Sequence, residues 1–300
     1  MAKARIAVVG AGLMGHGIAQ VFALAGHEVT ITDAVAQNLD TAKSRIAANL
    51  RDLGDDESAV ARVSPRADLA EAVREADYVV EAVSENLPLK QKLFGEIERQ
   101  VRRDTILASN TSVIPISAIM QGLAERERAL GTHWWNPPFL VPLVEVIETQ
   151  WTSPQAVEWT MALHQAAGKT PAHVKKDVPG FIGNRLQHAL WREAISLVEQ
   201  GICDAQTVDE VVKASFGRRL AVLGPLENAD MIGTDLALAV HETVLPAIDS
   251  RPAPSPYLRK LVAEGKLGFK SGEGFRKWSA ADQTALRAKL MQHLKSMHGP

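Results

Sequence analysis

His133 and Glu145, twelve positions apart, are the pair in this sequence best suited to moving a proton. Thr132-His133-Trp134-Trp135-Asn136-Pro137-Pro138 leads from an apolar stretch into a polar, aromatic loop, and Glu145 stands inside Leu143-Val144-Glu145-Val146-Ile147. A carboxylate among apolar neighbours needs a partner, because burying an unpaired charge is costly. An imidazole suits it, since the carboxylate holds the ring in one tautomer and stabilises its protonated form. Dehydrogenation of an alcohol needs such a base for the hydroxyl proton. The ordinary alternatives are a packing histidine beside two tryptophans and a glutamate at a sheet edge.

The second constellation is Gly10-Ala11-Gly12-Leu13-Met14-Gly15, between a strand-like run and a helix-like one. In that context the first glycine permits a tight turn. The second admits a pyrophosphate to the backbone, and the third lets helix and strand pack closely. Helix N-terminal amides then face the phosphates. Asp33 closes the next strand-like run at about the ~20-residue separation of a ribose-binding acid. A carboxylate there bonds both ribose hydroxyls and repels a 2′-phosphate, which favours NAD over NADP; its ordinary role would be a helix N-cap.

These residues need a scaffold, and the first half of the chain alternates strand and helix patterns. Apolar β runs are expected at Ile6–Val9, Val29–Thr32, Tyr78–Val83, Thr105–Ala108, Ala129–His133 and Leu143–Ile147, with a further one at Ala172–Lys175. Helical spacing covers Met14–Ala25 and Val35–Leu53. Such a series predicts an α/β fold with a parallel, doubly wound sheet. After Pro179-Gly180 the pattern becomes mostly helical, over Phe181–Gln200, Asp204–Ala214 and Leu236–Ile248. Residues 1–179 and 180–300 are therefore expected as two domains.

Composition narrows the function classes. Lys and Arg number 33 against 35 Asp and Glu, a net charge of −2, so nucleic acid binding has no electrostatic support. Cys203 is the single cysteine, which excludes an intramolecular disulfide. The nine histidines show no metal-binding spacing such as HExxH, so no metal is expected. The N-terminal residues lack the apolar core of a signal peptide, and no apolar run is long enough for a membrane span. A cytoplasmic protein with no membrane partner is the expectation.

Further short motifs recur in a telling order: Val80-Glu81-Ala82-Val83-Ser84-Glu85-Asn86 with Lys90 beyond, Ser109-Asn110-Thr111-Ser112, Pro179-Gly180-Phe181-Ile182-Gly183-Asn184-Arg185, Gly224-Pro225, and Leu267-Gly268-Phe269-Lys270 through Phe275. With the glycine loop, Asp33, His133 and Glu145, the chain resembles the L-3-hydroxyacyl-CoA dehydrogenase family along nearly its whole length. The resemblance implies a Rossmann-type NAD domain, a helical domain that usually forms a homodimer, and reversible oxidation of a 3-hydroxy group in fatty acid metabolism. By motif, His133 is the catalytic base and Glu145 its orienting carboxylate. Ser112 and Asn184 bond the reacting oxygen, and Glu85, Lys90, Ser112, Asn136 and Lys270 line the nicotinamide–ribose side. Ordinary roles stand beside these: a solvent-exposed pair for Glu85 and Lys90, a turn residue for Ser112, a polar helix-start residue for Asn184, and a loop charge for Lys270.

Three departures bear on substrate. Trp134-Trp135 replaces the family's paired phenylalanines. The helical excursion at about 35–65 is shorter than the one that contributes CoA contacts in the acyl-CoA enzymes. Phe216-Gly217-Arg218-Arg219 stands where those enzymes carry a small uncharged stretch. These features, with Pro137-Pro138 and Gly224-Pro225-Leu226-Glu227, resemble the branch containing L-gulonate 3-dehydrogenase (lambda-crystallin) and carnitine dehydrogenase, which act on small free hydroxy acids. Arg219 is then a candidate clamp for a carboxylate, or a solvated charge beside Arg218. Trp135 or Trp191 is a candidate wall for an acyl or aromatic group, or plain core. Rival readings are a non-catalytic NAD-binding structural or redox-sensing protein and a lysine-dependent dehydrogenase resembling those for 3-hydroxyisobutyrate; the His133–Glu145 pair and Asn184 disfavour both.

Overall fold

The computed structural model describes residues 3–297; Met1, Ala2 and the last three residues lie outside it. Eight strands form one sheet: β1 Arg5–Val9, β2 Glu28–Thr32, β3 Val63–Pro65, β4 Tyr78–Glu81, β5 Ile106–Ser109, β6 Ala129–Trp134, β7 Leu143–Ile147 and β8 Thr170–Val174. Their spatial order is β3-β2-β1-β4-β5-β6-β7-β8. The order reverses beside β1, the position where open α/β sheets bind ligands at the carboxyl ends of their strands.

Helices α1 Gly15–Leu24, α2 Ala36–Leu53, α3 Leu69–Val73, α4 Leu87–Glu98, α5 Ile116–Met120 and α6 Pro154–Ala166 connect these strands. Two buried apolar clusters result. One holds Ile6, Val8, Ile18, Phe22, Ile31 and Ile46; the other holds Val9, Val79, Phe94, Leu107, Ile116 and Ile119. Alternate residues of β1 thus face opposite layers, as a strand covered on both sides requires.

The sheet is not wholly parallel. β6 and β7 pair antiparallel, whereas the other neighbours run parallel. The reason is length. Only residues 135–142 join β6 to β7, and a parallel crossover needs about a dozen residues or more. Lys169 closes this connection from beneath by donating to the carbonyls of Pro138 and Val141. The short edge strand β3 was not anticipated; three residues carry too little periodicity to register.

Two compact units divide the chain. One runs to Arg185 and includes the segment from His293, whose Lys295 pairs with Asp52 at 2.6 Å. The other is Leu186–Gln292, built from most of α7 Gly183–Glu199, then α8 Ala205–Ala214, α9 Pro225–Ile232, α10 Thr234–Val244, α11 Pro256–Ala263 and much of α12 Ala280–Ser296. In this helical unit α8, α9 and α10 bury no residue. Val222 is 89% exposed and Leu226 79%. No helix among the described residues is long and apolar enough to cross a membrane.

At the carboxyl end of the sheet a buried ion pair ties β4 to α4, and its carboxylate also ties β4 to β5. Glu81, opposite Ser109 in register, accepts from Lys90 Nζ at 2.6 Å and Val83 N at 2.7 Å through Oε1, and from the Ser109 hydroxyl at 2.7 Å through Oε2. Glu81 and Lys90 are 0% and 1% exposed. Removing one partner leaves a buried charge uncompensated, while removing both does not. Lys90→Met should therefore lower unfolding free energy by about 3–5 kcal/mol in chemical denaturation, and Glu81→Gln with Lys90→Met should recover most of it. Equal losses in the single and double variants would show that the pair is not coupled.

Candidate active site

His133 and Glu145 face each other directly across β6 and β7. That antiparallel register brings their side chains together, and His133 Nδ1 lies 2.7 Å from Glu145 Oε2. A carboxylate can only accept, so Nδ1 carries the proton and a neutral ring leaves Nε2 bare as a base. Glu145 Oε1 accepts from Ile182 N at 2.8 Å and Gly183 N at 3.0 Å. Burial pushes the Glu145 carboxyl up, but the His133 bond and these two amides outweigh it and hold its pKa below the ordinary value.

The amides are presented by a left-handed turn. Gly180 has φ 75° and Phe181 φ 49°, a conformation that a side-chain-bearing residue adopts only when its surroundings enforce it. Phe181 is buried, and its ring centroid lies 5.6 Å from that of His133. Trp135 stands 5.5 Å from the imidazole, with its indole N–H buried and unbonded among the described residues. Trp134, by contrast, is 2% exposed and packs against Phe22 and His164 in the core.

Ser112 and Asn184 meet as well. Asn184 Nδ2 donates to the Ser112 carbonyl at 2.9 Å, joining the start of α7 to the loop after β5. Glu85 Oε1 gathers the same loop, accepting from the Thr111 hydroxyl at 2.5 Å, Ser112 N at 3.0 Å and Val113 N at 3.2 Å. Burial pushes the Glu85 carboxyl up, yet Thr111, Lys90 and the two amides bring it below its usual value. This network uses neither the Ser112 hydroxyl nor Asn184 Oδ1. Lys90 does not line open space. Its ammonium is enclosed between Glu81 and Glu85 Oε2, the latter at 3.4 Å, so it reaches the site only through Glu85. Asn136 is exposed in the loop after β6 and joins Pro137 through a cis peptide bond.

The glycine loop has the shape of an anion cradle. A Cβ on Gly15 would lie 1.7 Å from the Gly10 carbonyl oxygen, so helix α1 approaches β1 only with glycine there. A Cβ on Gly12 would meet nothing within 4 Å, so that side is open. The N–H groups of Gly12, Leu13 and Met14 bond none of the described residues. Asp33 holds the loop to the end of β2, accepting from Ala11 N at 2.6 Å, Val35 N at 2.7 Å and Asn38 Nδ2 at 3.2 Å. It combines the tethering of a cap with a position at the end of the second strand. Free amides at a helix start, an open Gly12 face and a carboxylate at the strand end fit a dinucleotide.

Arg219, Trp191 and Lys270 belong to the helical unit. Arg219 is exposed after a turn at Phe216–Arg218. Trp191 and Lys270 line an apolar pocket of ≈610 Å³ with Ile195, Leu261 and Phe275.

Glu81, Ser109, Thr111 and the Ile182 and Gly183 amides escaped the reading of the sequence. For Glu81 a signal existed: it sits in an apolar strand run as Glu145 does, and the same cost of an unpaired buried carboxylate applies. The backbone amides had none, because their direction depends on the turn.

A family model described as "3-hydroxyacyl-CoA dehydrogenase, NAD binding domain" matches residues 5–178, and its C-terminal-domain counterpart matches residues 180–278. The human mitochondrial hydroxyacyl-coenzyme A dehydrogenase is 38% identical over 290 residues, 91% of this chain and 90% of that protein. The crystal structure of (S)-3-hydroxybutyryl-CoA dehydrogenase from Ralstonia eutropha superposes with TM-score 0.78 at 34% identity, covering 93% of this chain and 100% of that one. That of 5-formyl-3-hydroxy-2-methylpyridine 4-carboxylic acid 5-dehydrogenase, an NAD+-dependent dismutase, gives TM-score 0.91 at 34% identity over 99% and 97% of the two chains. With both domain models matched in order along the chain, this protein belongs to the 3-hydroxyacyl-CoA dehydrogenase family.

Proposed function

We propose that this chain is an NAD-dependent dehydrogenase that oxidises a 3-hydroxy group, with His133 as its base. The observation that carries the reading is the His133 Nδ1–Glu145 Oε2 bond, which leaves Nε2 to take the hydroxyl proton. NAD supplies the hydride acceptor when bound. Glu145, held ionised by His133 and two amides, stabilises the imidazolium that forms. The Ser112 hydroxyl and Asn184 are positioned at the reacting oxygen. Gly10, Gly12, Leu13, Met14 and Gly15 hold the pyrophosphate, and Asp33 the adenosine ribose. Glu85 and Asn136 line the nicotinamide side, and Lys90 acts by fixing Glu85. Lys270, in the helical unit, is the remaining residue proposed for the cofactor, and the chain is proposed to divide functionally at 1–179 and 180–300. His133→Ala should reduce kcat by about 10²–10⁴-fold in steady-state assays while NAD still binds. Near-normal turnover would remove His133 from the mechanism.

Two substrate classes compete. Family membership supports an acyl-CoA thioester. The higher superposition on an enzyme named for a free pyridine carboxylic acid supports a small free acid, as does the short 36–65 excursion. Arg219 is then the carboxylate clamp, and Trp135 a wall of the pocket. Rates with acetoacetyl-CoA and with free 3-hydroxy acids separate the two. On the free-acid reading, Arg219→Ala raises KM for the carboxylate substrate by about 10-fold or more and leaves the thioester unaffected. Equal effects on both would make Arg219 structural.

The helical domain is proposed to form a homodimer. Three helices with no buried residue, and apolar side chains such as Val222 and Leu226 left exposed, support this. Light scattering should give twice the 32.5 kDa chain mass; a monomer at micromolar concentration would refute it.

A further inference from the structure

Arg45 on α2 is absorbed by none of the roles above. Its guanidinium donates to the carbonyl oxygens of Ala11, at 2.5 Å, and Asn38, at 2.9 Å, through Nη2, and to that of Gly12, at 3.4 Å, through Nη1. Its Nε is buried without a partner. No carboxylate pairs with it among the described residues. A half-buried cation held by carbonyls and one imidazole nitrogen, His16 Nδ1 at 3.2 Å from Nη1, is electrostatically incomplete, since no anion replaces the hydration it has lost. The structure places it directly behind the glycine loop.

The geometry of the peptide unit gives this placement a consequence. In a planar trans peptide the N–H points opposite to the C=O. The Ala11 carbonyl shares its peptide plane with Gly12 N–H, and the Gly12 carbonyl with Leu13 N–H. Drawing both carbonyls toward α2 turns both N–H groups away from it, and these are two of the amides left unbonded beside the open face of Gly12. His16 reinforces the arrangement. His16 Nδ1 sits against the same carbonyl, 2.7 Å from the Gly12 oxygen and 3.2 Å from Arg45 Nη1. Burial, chiefly, and the Arg45 charge hold the His16 pKa below its ordinary value, against the Gly12 contact that raises it.

We propose that Arg45 is a positioning residue for the pyrophosphate of NAD. It orients the Gly12 and Leu13 amides toward the phosphates from behind and supplies a positive charge whose field favours the dinucleotide's anionic groups across the loop. The inference rests on the NAD-binding reading of the loop and adds a residue outside the glycine motif to it.

Calorimetric titration with ADP-ribose, which carries the pyrophosphate but no reacting ring, tests it without a turnover assay. Arg45→Met should raise the ADP-ribose Kd by roughly 10-fold or more, as loss of a charge-assisted contact and of two oriented donors implies. Its Kd should also rise less steeply than that of the wild type as sodium chloride increases, because a charge has been removed. Arg45→Lys keeps the charge without the planar fork and should fall between the two. Should Arg45→Met not fold, Arg45→Lys decides, and ADP-ribose affinity equal to wild type overturns the proposal. So does an Arg45→Met protein that binds ADP-ribose within two-fold of wild type, even with a lowered melting temperature, because Arg45 would then only brace the fold. Failure of the wild-type protein itself to bind ADP-ribose would instead overturn the reading of the loop as a dinucleotide site.

Discussion

The candidate site depends on one buried carboxylate. Glu145 is 1% exposed and must be saturated with donors to stay ionised there. It finds them on two segments: the His133 ring from β6, and the Ile182 and Gly183 amides from the turn that opens α7. Each bond fixes something the chemistry needs. The imidazole is held in one tautomer, the left-handed turn at Gly180 and Phe181 is anchored, and Asn184 is carried onto the Ser112 loop. The aromatic rings around His133 belong to the same construction, since Phe181 lies in the turn and Trp135 follows β6.

The same physics recurs nearer the sheet reversal, at β4. Glu81 ties β4 to β5 and immobilises Lys90, Lys90 holds Glu85, and Glu85 gathers the Thr111–Val113 backbone. At the glycine loop Asp33 does the equivalent by accepting from Ala11. Carboxylates at or just beyond the carboxyl ends of β2 and β4 thus brace the neighbouring loops, each accepting from several directed donors. Bracing is what preorganises such loops, because a loop amide is useful to a ligand only if its direction is set before the ligand arrives.

Family membership and the local chemistry agree on the reaction class. Relatives of similar identity carry names of both thioester and free-acid enzymes. That is physically reasonable. Hydride and proton transfer at a carbinol carbon require the same base and cofactor geometry whatever is attached beyond it, so one reaction site can serve different substrate tails.

Much of the site was legible from residue type and spacing. The glycine loop, Asp33, and a histidine and glutamate embedded in apolar runs are local signals, because the cost of burying a charge and the backbone demands of a tight turn act within a few residues. Apart from the three-residue β3, the strands from Ile6 to Ile147 were legible for the same reason, through apolar runs of strand length. Tertiary structure decided the rest. It showed β7 antiparallel, which sets Glu145 opposite His133. It showed Lys90 enclosed by Glu81 and Arg45 reaching the carbonyls behind the glycine loop. These depend on where a side chain distant in sequence comes to lie and on which way a peptide plane turns. Spacing carries neither piece of information, because both are settled only when the sheet closes its register and the buried charges find their donors.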